Sequence, residues 1–166
     1  ILMLGVLMIS LSSCLKEGVM NTDPNYASNV IELANTGDNV TTSGIQGYYS
    51  DLGSVAAGAS KTFNINVHYT GPGNAPADVV VTLASDAATL AAYNTKNGSA
   101  KVIPPASVVS FPTSVTIKKG TNQTTVEAKI TVTAEFNFNA AYAVPVKITQ
   151  VSNGIISGNY GNAVYS

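Results

Sequence analysis

Thr124-Thr125-Val126-Glu127-Ala128-Lys129-Ile130-Thr131-Val132-Thr133 decides the fold class. Successive side chains of a strand point to opposite faces. Val126, Ala128, Ile130 and Val132 therefore share one face, and Glu127, Lys129 and Thr131 share the other. One face apolar and one polar, at a period of two, predicts a half-buried β-strand rather than a helix. Residues 62–69 repeat the pattern: Phe63, Ile65, Val67 and Tyr69 face inward, with Asn64, Asn66 and His68 outward.

On either side of these two strands the chain reads as more of the same. Gly71-Pro72-Gly73-Asn74 forces a turn. Asp78-Val79-Val80-Val81-Thr82-Leu83 is a further strand, more apolar and expected to lie more centrally. Residues 108–111 and Ser114–Ile117 follow, then a turn at Lys118-Lys119-Gly120-Thr121. Val30–Leu33 and residues 46–49 are short candidate strands. Residues 134–141 form a loop that carries Phe136 and Phe138, and residues 142–148 are again a strand. Pro145 cannot donate to a ladder, so that strand is expected at a sheet edge or bulged there. Asn153-Gly154, then Gly158 and Gly161, mark bends before a last strand at Ala163-Val164-Tyr165-Ser166. One segment breaks the alternation. Ser85-Asp86-Ala87-Ala88-Thr89-Leu90-Ala91-Ala92-Tyr93-Asn94 is rich in alanine, opens on residues that cap helix N-termini, and is followed by Gly98. It predicts one short helix over an end or edge of the sheets.

About seven short strands, regular turn signals and one small helix indicate an all-β fold, an immunoglobulin-like antiparallel β-sandwich. A closed barrel is the alternative. No fixed-period repeat points to a solenoid or propeller.

The N-terminal residues are of another kind. Ile1-Leu2-Met3-Leu4-Gly5-Val6-Leu7-Met8-Ile9 is continuously apolar. Spanning a bilayer takes about 20 such residues, so this run suits the apolar core of a secretory signal instead. No start Met and no basic stretch precede it, and the signal is expected to be clipped. Leu11-Ser12-Ser13-Cys14 has the form of a lipobox, in which small residues fit a peptidase cleft and the thiol takes the lipid. Acylation stabilises membrane attachment by about 0.8 kcal/mol per buried methylene. The expected organisation is a signal peptide over 1–14, a flexible tether over 15–29 and the sandwich over 30–166. The tether carries Lys16 and Glu17 just after the lipidation site. Extended at ~3.3 Å per residue, it would hold the domain within ~50 Å of the membrane. Cys14 is the sole cysteine of the 166 residues, so the sandwich stands without a disulfide.

Charge and chemistry-bearing residues are sparse. Eight basic and nine acidic residues make about 10% charged residues, against ~25% in ordinary domains. Every basic residue is a lysine and none are clustered into a patch, so nucleic-acid binding is not expected. His68 is the single histidine and lacks the partners of a triad or a zinc site. No pair of carboxylates, Glu127 and Glu135 included, converges as glycoside hydrolysis requires. Asp51, Asp78 and Asp86 come from no ligand-dense loop, so no metal is expected, and no cofactor. Aromatic residues that could meet a glycan are Tyr48, Tyr49, Phe136 and Phe138. Tyr48 and Tyr49 are adjacent, so one sandwich core cannot take both rings. Each of these aromatics reads either as a sugar platform or as a rim residue that covers the core edge.

A family pattern runs through the same residues. Tyr93-Asn94 with Asn97-Gly98, Ile103-Pro104, Val115-Thr116-Ile117 with Gly120, and Tyr142-Ala143-Val144-Pro145-Val146-Lys147-Ile148 occur in that order. The chain from Val30 onward thereby resembles the immunoglobulin-like domain of unknown function near the N-terminus of Bacteroidota outer-membrane lipoproteins. Members of that family often carry an aromatic residue near Lys101 or Val102, which is lacking here. The resemblance implies polysaccharide utilisation, ahead of glycan-binding modules or of glycoside hydrolases that include endo-β-N-acetylglucosaminidases. It supplies no catalytic motif. The expected function is a non-catalytic structural or docking domain of an outer-membrane, lipid-anchored, surface lipoprotein. Its expected partners are the membrane, through the lipid on Cys14, and glycans or proteins of a glycan-uptake complex. A direct carbohydrate-binding module is the alternative, and an accessory domain to a downstream glycoside hydrolase a second one.

Overall fold

The computed structural model describes residues 29–34, 45–50 and 52–166. Cys14, the expected signal peptide, residues 15–28 of the tether and Asp51 lie outside the described residues. The elements run β1 (Val30–Leu33), β2 (Gln46–Tyr48), β3 (Ser60–Thr70), β4 (Val79–Ser85), α1 (Ala87–Asn97), β5 (Val109–Ser110), β6 (Ser114–Ile117), β7 (Gln123–Thr131), β8 (Val144–Val151), β9 (Ile155–Ile156) and β10 (Asn162–Tyr165).

They form two five-stranded sheets, ordered β5-β7-β3-β1-β9 and β2-β10-β8-β4-β6. The sandwich of the sequence reading is thus the fold. Among the described residues it has ten strands rather than about seven, several of them only two to four residues long. Nine of them are read individually from the sequence, and β9 has no signal there.

The longest pairing joins the two strands of clearest alternation. β3 and β7 run antiparallel with Phe63 opposite Ala128 and Ile65 opposite Val126. All four side chains are buried, as are Val67, Tyr69 and Ile130 on the same faces. β4 supplies Val79, Val81 and Leu83 to the core from the other sheet. Its extra valine, Val80, points outward and is 42% exposed. β4 lies one place in from the edge, and the centre of that sheet is β8.

The central place of β8 overturns the edge expected for Pro145, and the fold shows why it is tolerated. Ile148 N donates to Gly161 O at 2.8 Å, so by antiparallel alternation Val146 and Val144 also point their amides at β10. Pro145 faces the opposite neighbour. There β4 has just ended, and only Asp86 N reaches across to Pro145 O, at 3.4 Å. The missing amide falls where the ladder stops. The β4–β8 pairing does shift register, but between Thr82 and Leu83, opposite Gln150 and Ile148 and away from Pro145.

Two parallel pairings stitch the sandwich. β9 leaves the β8 sheet and pairs with β1 of the other; β10 returns and pairs with β2. Tyr48, on β2, donates its hydroxyl to Leu33 O of β1 at 3.1 Å across the core.

The helix forms where its caps dictate. Asp86, in extended conformation, accepts from Thr89 N at 3.0 Å, and Gly98 closes the C-terminus in the left-handed region at φ 58°. It lies on the outer face of its sheet, over β8, β10 and the edge strand β2. Leu90 and Tyr93 pack with Ile45, Ala143 and Val164 in a small second cluster. Val164 sits between the core residues Ala163 and Tyr165, so it points to the outer face of its sheet. The helix can lie flat there because Gly47 leaves room: a Cβ at that position would stand 2.8 Å from Cε2 of Tyr93.

Candidate functional site

Chain direction divides the sandwich into two poles. β3 begins at Ser60 and ends at Thr70, and Thr70 pairs with Val30. Asn29 therefore lies at the Thr70 pole, where its carbonyl accepts from Ile155 N at 2.9 Å. The final residue lies at the other pole. Ser166 N donates to Tyr48 O at 2.9 Å, and Ser50 N donates to Ser166 O at 2.8 Å. Eleven residues of strand separate the poles, about 33 Å at the rise of a β-strand.

The Ser166 pole carries an apolar cavity of about 130 Å³. Leu52, Phe63, Val108, Ile130, Val144 and Tyr165 form much of its wall, with Ser50, Phe136, Tyr142 and Ser166 nearer the loops. None of the described side chains in this wall is charged. Tyr165 stacks at an angle on Tyr48, with centroids 5.3 Å apart, and on Phe63, at 5.4 Å. Burial pushes the Tyr165 phenol far above the usual tyrosine range.

The loop before β8 adds an aromatic rim. Phe136 meets Phe138 edge-on with centroids 4.9 Å apart and tilts against Tyr142 at 5.3 Å. Asn residues shape this loop as their turn propensity dictates: Asn137 Oδ1 accepts from Asn139 N at 2.9 Å, and Asn137 N donates to the Tyr142 hydroxyl at 3.1 Å. Val102 holds Tyr142 in place, accepting from Ala143 N and donating to Ala141 O, both at 2.9 Å. Val102 and its neighbour Ile103 are themselves partly exposed.

The four aromatic candidates separate accordingly. Phe136 and Phe138 come together, joined by Tyr142, and Phe138 is 66% exposed. Tyr49 is 64% exposed at the same pole, next to Ser50. Tyr48 is a correction: it is buried in the core and offers no ring face to a ligand. Tyr142 reads in the sequence as the start of a strand and not as a site residue, because it opens an apolar run; its place after an Asn-rich loop is the available signal.

Asp78 and Asp86 are tied into the scaffold. Asp78 pairs with Lys118 Nζ at 2.9 Å and accepts from Lys119 N at 2.9 Å. The Lys119 amide, then the Lys118 side chain, holds its carboxyl below the usual range. Asp86 is held low chiefly by the Thr89 hydroxyl, with Lys147 Nζ at 3.9 Å. These two aspartates sit at opposite ends of β4, about 26 Å apart along the strand, and do not meet. Glu127 faces solvent opposite Asn64, whereas Glu135 accepts from the Ser107 hydroxyl. Among the described residues no group of three His, Cys, Asp or Glu side chains is placed to hold a metal. Among the described residues no helix is long and apolar enough to cross a membrane.

A family model for an N-terminal domain matches residues 25–155. The fold is similar to a structural-genomics protein of unknown function from Bacteroides ovatus, at 15% identity and TM-score 0.64, over 82% of this chain and 45% of that one. It is similar to an auxiliary nutrient binding protein from Bacteroides thetaiotaomicron, at 20% identity and TM-score 0.54, over 74% of this chain and 43% of that one. It is also similar to EndoBT-3987 of Bacteroides thetaiotamicron, solved with Man5GlcNAc product, at 21% identity and TM-score 0.52, over 72% of this chain and 27% of that one. At these identities the likeness is one of fold. The chain spans less than half the length of each of the three. No curated protein matches it.

Proposed function

The chain belongs to this family of N-terminal domains, and from that premise we propose that it is a non-catalytic spacer and docking domain of a lipid-anchored surface lipoprotein that handles glycans. The observation that carries the reading is the placement of Asn29 and Ser166 at opposite poles of the sandwich, whose longest strand is about 33 Å long. A rigid sandwich with its entry and exit so placed sets a distance between whatever precedes it and whatever follows. The lipobox residues Leu11-Ser12-Ser13-Cys14 supply the anchor in this reading. The scaffold roles of Asp78, Asp86 and Glu135 speak for a domain without chemistry of its own. The nutrient-binding and endoglycosidase-named proteins that share the fold support glycan handling as the setting. A spacer ahead of a glycoside hydrolase fits the same geometry.

A second reading, direct carbohydrate binding, is favoured by the exposure of Tyr49 and Phe138 at the Ser166 pole. One experiment separates the two. Cells making the protein, or its Cys14→Ala variant, are fractionated and treated from outside with protease, and the purified chain is tested on a glycan array and for glycan hydrolysis. The spacer reading expects wild type in the membrane fraction and protease-sensitive in intact cells, Cys14→Ala released, and neither binding nor hydrolysis by the chain alone. Array binding that falls at least tenfold in Tyr49→Ala or Phe138→Ala establishes the second reading. Hydrolysis by these residues alone, or Cys14→Ala retained in the membrane, overturns the first.

A further inference from the structure

We propose that the cavity at the Ser166 pole is a socket for one aliphatic or aromatic side chain of the polypeptide that continues β10, so that the joint to the next domain is seated rather than loose. The inference deepens the spacer reading and rests on it. Four observations point to this occupant.

The first is chemistry. The described side chains of the wall carry no charge and no amide; hydroxyls of serine and tyrosine are their only polar groups. A sugar or an ion leaves its hydrogen bonds unmet there, which costs more than the burial returns. The second is size. An apolar cavity of about 150 Å³ takes one benzene, and this one, at about 130 Å³, suits a single leucine- or phenyl-sized group.

The third is the path of the chain. Pairing of β10 with β2 persists to the last residue, through Ser166 N to Tyr48 O and Ser50 N to Ser166 O. Ser166 also lines the cavity. A polypeptide that continues the strand leaves across the cavity mouth, and its local concentration there exceeds that of any free ligand. The fourth is the rim. Phe138 at 66%, Val102 at 45% and Ile103 at 37% exposure group apolar surface beside the mouth, as a contact site does, whereas Val80, Ile155 and Tyr160 are exposed away from it. The family description as an N-terminal domain, and the greater length of the proteins that share the fold, favour a following segment over a second copy.

The test uses benzene as the probe, on the 166-residue chain and on the product of the complete reading frame. Methyl resonances of Leu52, Val108, Ile130 and Val144 report occupancy. Benzene is expected to shift them in the 166-residue chain. In the complete product it binds at least tenfold more weakly, because the socket is filled. Leu52→Trp, at the half-buried mouth, and Val108→Phe, inside it, both abolish the shifts; Leu52→Trp keeps the test alive if Val108→Phe fails to fold. No shift in the 166-residue chain overturns the proposal, as does equal binding to both proteins or a reading frame that stops at Ser166. Shifts that appear on raising the protein concentration alone assign the socket to a second copy. Displacement of benzene by N-acetylglucosamine or mannose assigns it to a glycan. Either outcome also overturns the proposal. These readouts follow the cavity and not membrane attachment, so an empty socket leaves the spacer reading standing, and a failed Cys14 experiment leaves the socket result intact.

Discussion

Asp86 shows how much a single residue can settle. Its carboxylate takes the Thr89 amide at 3.0 Å and also the Thr89 hydroxyl, and Thr89 is itself buried. These bonds favour the ionised form and lower the pKa from 3.8. A depressed carboxylate pKa adds stability at pH values above its unfolded value, and that stability is lost as pH falls through the folded value. Asp86→Ala should therefore destabilise the domain by about 1 kcal/mol at neutral pH, a fall in Tm of roughly 2–4 °C. Thermal unfolding at pH 7 and at pH 3 checks this. The gap between variant and wild type should narrow at the lower pH, and a gap independent of pH would assign the loss to something other than the charged cap. Both caps, Asp86 and Gly98, were legible in the sequence because cap chemistry is local. The Tyr48-Tyr49 pair was legible only halfway. Period two says that one ring is buried and one is not. Which one is decided by Tyr48 pairing with Tyr165, on a strand more than a hundred residues away, and no local pattern records that.

At the scale of elements, the long alternating strands were readable because burial of one face is written into every second residue. β3 and β7 follow their patterns along almost their whole length. The position of an element in a sheet is another matter. The sequence of β8 contains Pro145, which argues for an edge, yet the place of β8 is set by β10 on one side and β4 on the other. β9 was unreadable since two residues carry no period. The helix was readable as a helix over an end or edge, but which edge forms its seat was not, since that depends on Gly47 in a three-residue strand about forty residues earlier. The seat makes its own prediction. In Gly47→Ala the new methyl would stand 2.8 Å from Cε2 and 2.9 Å from the hydroxyl oxygen of Tyr93. The ring must move, at a cost of about 1–3 kcal/mol for an overpacked contact. Hydrogen exchange should show α1 losing protection while β3 and β7 keep theirs. Tyr93→Leu in the Gly47→Ala background should recover part of the loss, as a double-mutant cycle would register. Loss of protection spread evenly over both sheets would mean that the glycine serves the core and not the helix.

The whole molecule turns on its last strand. Sandwich strands late in a chain can be edge strands, and edge strands can be lost with a limited cost. β10 is not one. It lies between β2 and β8, and it gives Ala163 and Tyr165 to the main core and Val164 to the cluster under the helix. Both hydrophobic clusters therefore depend on four residues, Asn162–Tyr165. Without them β2 loses its partner in the sheet, and Phe63 and Tyr48 lose the ring they both pack against. Burying a large side chain is worth about 1.5–3 kcal/mol, and a domain of this size has about 5–15 kcal/mol in all. Removal of two such side chains, Val164 and Tyr165, takes about 3–6 kcal/mol, a large share of that total, before the lost interior ladder is counted. Residues 29–166 should fold as a unit with cooperative unfolding, whereas a chain stopped after Gly161 should not. Circular dichroism and urea titration of the two pieces decide it. A shorter chain with native β signal and a cooperative transition would mean that β8 can serve as an edge, and that Pro145 stands where the sequence first suggested.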